Sequence, residues 1–148
     1  SDLADGGRRL APAIADLLSA DTHAAAPPLL VSIGSGGRVT GETVAQTLGR
    51  AVTALPTVRK ESGVRITLEG LDVRDAHVVV IDDGVETGTA AAAAAEVLRD
   101  AGARRLTLAV PVCPRDAEVG LLARYDDVVA VVRPLVRRSL RWHYETLP

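Results

Sequence analysis

At Val78-Val79-Val80-Ile81 four β-branched apolar residues stand in a row, and the run ends on two adjacent acids, Asp82 and Asp83. A strand with one face in water alternates apolar with polar residues, so an unbroken run of this kind belongs to a strand buried on both faces, as in a parallel sheet covered by helices. Residues 106–112 and 128–132 repeat the pattern. Between these runs, residues 90–101 and 116–124 read as helices; the first contains six consecutive alanines, and Gly102 is placed to cap its C-terminus. Apolar strands alternating with helices of this length imply right-handed βαβ crossovers and an α/β fold. The 148 residues fit one domain of ordinary size.

The first half of the chain is consistent with that class. Leu3, Leu10, Ile14, Leu17 and Leu18 recur at helical spacing with Arg8, Arg9 and Asp16 between them, which predicts an amphipathic helix over 3–18. A small-residue linker, 24–28, leads to a short apolar strand, 29–33, that stops at Gly34-Ser35-Gly36-Gly37. A second helix is expected over about 39–50, with Val44 and Leu48 on one face. Residues 51–58 read as a strand that bends or lies at an edge, because Pro56 interrupts it. Residues 65–69 alternate as a half-exposed strand would.

Composition removes several functions. The net charge is −2 and 47% of residues are apolar, which describes a globular chain. The single Cys113 can make no internal disulfide, so a reducing, cytoplasmic setting is expected. The longest apolar stretches fall short of the roughly 20 residues that span a bilayer, and a membrane role is not expected. Near-neutral charge argues against a dedicated nucleic-acid partner, although Arg133, Arg137, Arg138 and Arg141 cluster near the end. With one Trp, two Tyr and no Phe, the core must be aliphatic, and Trp142 and Tyr144 crowd into the last seven residues.

The chemistry lies where the buried run ends. Asp82 and Asp83 are delivered to the carboxyl edge of the sheet, where open α/β folds bind ligands. Gly84-Val85-Glu86-Thr87-Gly88-Thr89 then forms a small hydroxyl-bearing loop that opens into a helix. Amides at a helix N-terminus, with the helix dipole behind them, attract anions. Carboxylates for hydroxyls or a hydrated metal thus stand beside a phosphate cradle, and a sugar phosphate has both groups. A plain turn at Asp82-Asp83-Gly84 with Thr87 as helix N-cap accounts for the turn residues. It does not account for two acids at the end of a fully apolar strand.

This stretch, VVVIDDGVETGT, resembles the 5-phosphoribosyl-1-pyrophosphate (PRPP) binding motif of type I phosphoribosyltransferases, and nearly the whole chain is similar to a bacterial group of that family. The resemblance implies a Rossmann-like parallel sheet flanked by helices, a single domain over 1–148, and transfer of the phosphoribosyl group of PRPP to a purine-like or pyrimidine base with release of pyrophosphate. It implies that Asp82 and Asp83 hold the ribose hydroxyls and position Mg²⁺, and that Gly84, Val85, Glu86, Thr87, Gly88 and Thr89 wrap the 5′-phosphate. Glu86 falls where 6-oxopurine enzymes of the family carry an acid near the base, a proton acceptor or relay. The family also implies a homodimer.

Two further pieces fit the resemblance. Gly34-Ser35-Gly36-Gly37-Arg38 is placed like the family's pyrophosphate loop, with Ser35, Gly36, Gly37 and Arg38 meeting the leaving group. A dinucleotide fingerprint would need a third glycine or alanine where Val39 stands. Arg59-Lys60 resembles an Arg-Lys pair that several members turn toward pyrophosphate, and Lys60 is the only lysine in the chain. In the family the region after the last core strand selects the base, so the resemblance implies that Trp142 and Tyr144 stack on the acceptor; the alternative is that they pin the C-terminal tail to the domain. The departure is length: only residues 61–77 separate Lys60 from the acid-bearing strand, so the flexible loop and the hood are reduced. A PRPP-sensing regulator that no longer turns over is the alternative, and the shortened loop favours it.

Overall fold

The computed structural model describes residues 3–20, 27–84 and 88–133. Helix α1, Leu3–Ala20, leads to β1, Leu29–Ile33, and α2, Gly34–Leu48. Three short strands follow: β2, Thr53–Leu55; β3, Thr57–Lys60; and β4, Gly63–Ile66. Then come β5, His77–Ile81; α3, Thr89–Asp100; β6, Arg105–Val112; α4, Arg115–Leu122; and β7, Asp127–Val132.

Five strands form one parallel sheet in the order β2-β1-β5-β6-β7, and β3 and β4 form a separate antiparallel ribbon. Side chains of a strand alternate between faces, and here both faces are covered. Val78 and Val80 join Leu106, Leu108 and Val110 in a core closed by Ala91, Ala94, Ala95 and Leu98 of α3 and by Ile66 of the ribbon. Val79 and Ile81 face the other way, onto Leu10 and Ile14 of α1 and Val44 of α2. The alanine face of α3 has no long side chains to hold it off the sheet. Gly7 lets α1 approach α2 closely: a Cβ there would stand 2.7 Å from the Thr40 carbonyl oxygen. The expected α/β class, with a parallel sheet between helices, is therefore the architecture observed.

Three boundaries differ from expectation, each for a physical reason. Helix α2 begins at Gly34 rather than near Val39, because Gly34 takes φ 74° and turns the chain straight from strand into helix. The stretch 51–58 is not one bent strand; Pro56, which has no N–H for a ladder, separates edge strand β2 from β3 of the ribbon. Of the alternating stretch 65–69, only Arg65 and Ile66 pair, opposite Val58 and Thr57, and Glu69 and Gly70 leave it with positive φ.

Candidate functional site

β1 and β5 are neighbours in the sheet, but their following helices, α2 and α3, lie on opposite faces. This divergence opens a crevice at the carboxyl ends of the two strands, the place where open α/β sheets bind ligands. Asp82 and Asp83 enter it from β5, and the turn Gly34-Ser35-Gly36-Gly37 enters it from β1. The two segments touch. A Cβ on Gly36 would run into the Asp83 carboxyl group, whose Cγ would lie 2.6 Å away. A Cβ on Gly37 would sit 3.1 Å from the Ile81 carbonyl and 3.2 Å from Asp82 Oδ1. These two glycines provide the gap that lets the acid pair stand against the first turn of α2.

The acid pair is electrostatically loaded. Asp82 is buried, and its Oδ1 accepts the Asp83 N–H at 2.8 Å. Burial first, then the neighbouring Asp83 charge, push the Asp82 carboxyl well above the usual carboxylate range; the Asp83 N–H and the charge of Arg59 pull the other way. A buried acid pressed against a second acid favours any cation that can share both. Asp83 is half-buried and keeps the pair within reach of solvent; hard carboxylate oxygens suit Mg²⁺, which prefers one or two protein carboxylates, with waters, to a full protein cage. Among the described residues no group of three or more His, Cys, Asp or Glu could hold a metal. Asp82 and Asp83 are, among the described residues, the carboxylates that could hold a cation here.

Across the crevice, a depression of about 340 Å³ lies between Gly34, Ser35 and Arg38 on one side and Leu55, Pro56 and Thr57 on the other. Helix α2 has no side-chain cap of its own at Ile33. The Gly34 N–H instead donates to the Thr57 hydroxyl at 3.1 Å. Arg38 is exposed and pairs with Glu42 one turn along the helix at 3.6 Å. Thr57 and Arg59 share one face of the ribbon, because Thr57 is opposite Ile66 and Arg59 is opposite Val64. That face turns inward: Ile66 is 3% exposed and belongs to the core. Val58, opposite Arg65, is 48% exposed, so Val58, Lys60 and Arg65 share the outer face. Arg59 and Lys60 thus leave the strand in opposite directions; both are exposed, and it is the Arg59 charge that acts on Asp82.

The rest of the expected site is divided. Gly84 is buried with φ 153°, Gly88 caps α3 with φ 81°, and Thr89 opens that helix on the exposed side. Val85, Glu86 and Thr87 lie outside the described residues, as do Trp142 and Tyr144 with the rest of 134–148. Arg133, from the C-terminal cluster, is engaged by Glu118 at 3.1 Å and by the Val128 carbonyl at 2.8 Å. His77 is buried and hydrogen-bonded through Nε2 to Thr107 Oγ1 at 2.8 Å, a structural role at the far end of the sheet. Cys113 is a core thiol, pushed up to about 11 chiefly by burial.

Sequence reasoning missed Thr57 and the purpose of Gly36 and Gly37. Thr57 carried a weak signal, a hydroxyl directly after Pro56, but its partner is 23 residues away. Tyr125 was also passed over; its buried hydroxyl donates to the Ala91 carbonyl at 2.7 Å and ties the loop before β7 to the first turn of α3.

The family described as phosphoribosyl transferase domain matches residues 3–135. Two curated Mycobacterium tuberculosis proteins, whose names assign them provisionally to the phosphoribosyl transferases, are 41% identical over 56 residues, 38% of this chain and 13% of theirs. The chain thus spans about an eighth of the length of these relatives. Orotate phosphoribosyltransferase of Pyrobaculum islandicum is 32% identical over 74 residues, half of this chain and 38% of that one. Among solved structures, TT1426 from Thermus thermophilus aligns with a TM-score of 0.74 at 23% identity, covering 95% of this chain and 88% of that one. Purine phosphoribosyltransferase from Pyrococcus horikoshii aligns at 0.63 and 17% identity, covering 90% and 92%. These likenesses extend to the fold, and the fold is that of the type I phosphoribosyltransferases.

Proposed function

Since the chain belongs to the phosphoribosyl transferase domain family, we propose that it transfers the 5-phosphoribosyl group of PRPP to a purine-like or pyrimidine nucleobase and releases pyrophosphate. The observation that carries this reading is the contact between Asp82-Asp83 and the Gly34–Gly37 turn across the switch point of the sheet. An acid pair in contact with a glycine turn that opens a helix suits a ligand with hydroxyls and a diphosphate on adjacent carbons, as PRPP has. Relatives named for orotate and purine bases support a heterocyclic acceptor.

Displacement at the anomeric carbon by a ring nitrogen builds positive charge on the ribose and negative charge on the departing pyrophosphate. In this reading Asp82 and Asp83 accept the ribose hydroxyls and offset the positive charge. The Ser35, Gly36 and Gly37 amides, Arg38 and Arg59 hold the pyrophosphate, and Lys60 acts from the outer face of the ribbon at longer range. Gly84, Val85, Glu86, Thr87, Gly88 and Thr89 bind the 5′-phosphate, with the N-terminus of α3 behind them. Asp82 and Asp83 would hold Mg²⁺, which supplies charge neutralisation at the leaving group when bound. Glu86 takes or relays the acceptor's proton, and Trp142 and Tyr144 stack on the base.

The test is pyrophosphate release in Mg²⁺ and PRPP with a panel of purine and pyrimidine bases. Release with at least one base supports the transferase. Thermal stabilisation by PRPP with no turnover on any base favours a PRPP-sensing regulator, the second reading, which the short β3–β4 ribbon supports because it covers little of the crevice. Neither stabilisation nor release would sink both.

A further inference from the structure

One hydroxyl joins three segments at the edge of the crevice. Thr57 Oγ1 accepts the Gly34 N–H at 3.1 Å and donates to the Leu55 carbonyl at 3.1 Å. Leu55 ends the edge strand β2, Thr57 begins the ribbon, and Gly34 is the positive-φ residue that sends the chain from β1 into α2. Glycine adopts that conformation without strain, so what fixes the turn is not the backbone itself but the bond from a side chain 23 positions away. The same residue fixes the start of the strand that carries Arg59. Pro56 stiffens the approach just before it, and Ile66, paired opposite Thr57, anchors the ribbon in the core.

We propose that Thr57 is a positioning residue for the pyrophosphate group. Its hydroxyl locks the Gly34 turn so that the Ser35, Gly36 and Gly37 amides face the crevice, and it locks the ribbon so that Arg59 completes the same anion cradle. This inference rests on the transferase reading above and assigns a residue that the family resemblance did not. The cradle is preorganised by this bond: a threonine fixed by two hydrogen bonds orders amides and guanidinium before any ligand arrives, which lowers the ordering cost of binding. Replacing the hydroxyl by a methyl leaves the Gly34 N–H without its acceptor and frees the turn, while the volume of the side chain is kept.

Because the bond governs the diphosphate side of the crevice and not the loop at Gly84 and Gly88, its loss must be ligand-selective. The experiment is calorimetric titration of wild type, Thr57→Val and Thr57→Ser with pyrophosphate, PRPP and ribose 5-phosphate, each in Mg²⁺. Thr57→Val is expected to weaken pyrophosphate and PRPP by about tenfold, roughly 1.4 kcal/mol, and ribose 5-phosphate by no more than about twofold. Thr57→Ser keeps the hydroxyl and is expected to restore both diphosphate affinities to within about threefold of wild type. Unchanged pyrophosphate binding in Thr57→Val, or equal weakening of all three ligands, overturns the positioning role and leaves the transferase reading intact. A wild type that binds none of the three overturns that reading and this inference with it.

Discussion

Asp82 is unfavourably placed as long as the crevice holds no cation: it is out of water and beside a second carboxyl group. Burial and Asp83 raise its pKa above the value it has in the unfolded chain, so the native state binds the extra proton and stability falls as pH rises from the unfolded pKa through the folded one. Asp82→Asn removes the charge and keeps an oxygen for the Asp83 N–H. The expected outcome is an apoprotein more stable at pH 7 by about 1 kcal/mol, a smaller loss of stability between mildly acidic and neutral pH, and no stabilisation by PRPP with Mg²⁺. Thermal melts across pH with and without ligand check all three. The glycines separate in the same way. The three atoms nearest a Gly36 Cβ all belong to the Asp83 side chain; the carboxyl group can swing aside, but the Asp83 Cβ, 3.0 Å away, has to give, so Gly36→Ala is expected to lower the melting temperature by a few degrees and to weaken PRPP severely. Gly37 meets the Ile81 carbonyl and the Asp82 Cα, so Gly37→Ala is expected to cost about 1–3 kcal/mol of stability as well. The acid pair was legible because two charges after a fully apolar strand are costly without a purpose. The role of the glycines was not, because nothing local to residues 34–37 reveals that residues 82 and 83 will press against them.

Among the elements, the β3–β4 ribbon was read least well and matters most to the site. Sequence alternation shows which residues share a face but not which face turns inward; that was settled by Ile66 reaching the core. The basic pair therefore splits: Arg59→Ala is expected to weaken pyrophosphate about tenfold, as loss of a charge-assisted hydrogen bond would. Lys60→Ala, on the outer face, is expected to weaken it only about two- to threefold at low salt, a loss that fades at high salt because an exposed charge acting at long range is screened. Parallel titrations at two ionic strengths distinguish them. The long elements were legible for the opposite reason. The β5 run and the alanine helix α3 state their environment through composition alone, and their observed limits lie within a residue or two of those expected. Tyr125 joins the second of these to β7, and Tyr125→Phe is expected to lower stability by about 1 kcal/mol through loss of the bond to the Ala91 carbonyl, measured by denaturant melts.

For the whole molecule, the strand order places the crevice between two helices that cover opposite faces, so a ligand there braces α2, α3 and the ribbon together. PRPP with Mg²⁺ at about 100 times its dissociation constant is expected to add roughly 2.7 kcal/mol and to raise the melting temperature by about 5–10 °C. Scanning calorimetry at several ligand concentrations checks it. The alternation of apolar runs and helices made this architecture readable, since a parallel sheet buried on both faces needs both signals. The separate ribbon was not readable, since one proline and a few alternating residues fit an edge strand equally well.

The ribbon stands apart from the main sheet, fastened at its base by Thr57 and Ile66 and turning at its tip through Glu61 and Ser62. Its tip is therefore a splice point. Lengthening a surface loop costs only about 0.6 kcal/mol for each doubling, so a longer segment grafted between Lys60 and Gly63 would leave undisturbed the strands that build the crevice. The scaffold and its cover are separable parts, and one of them can be rewritten.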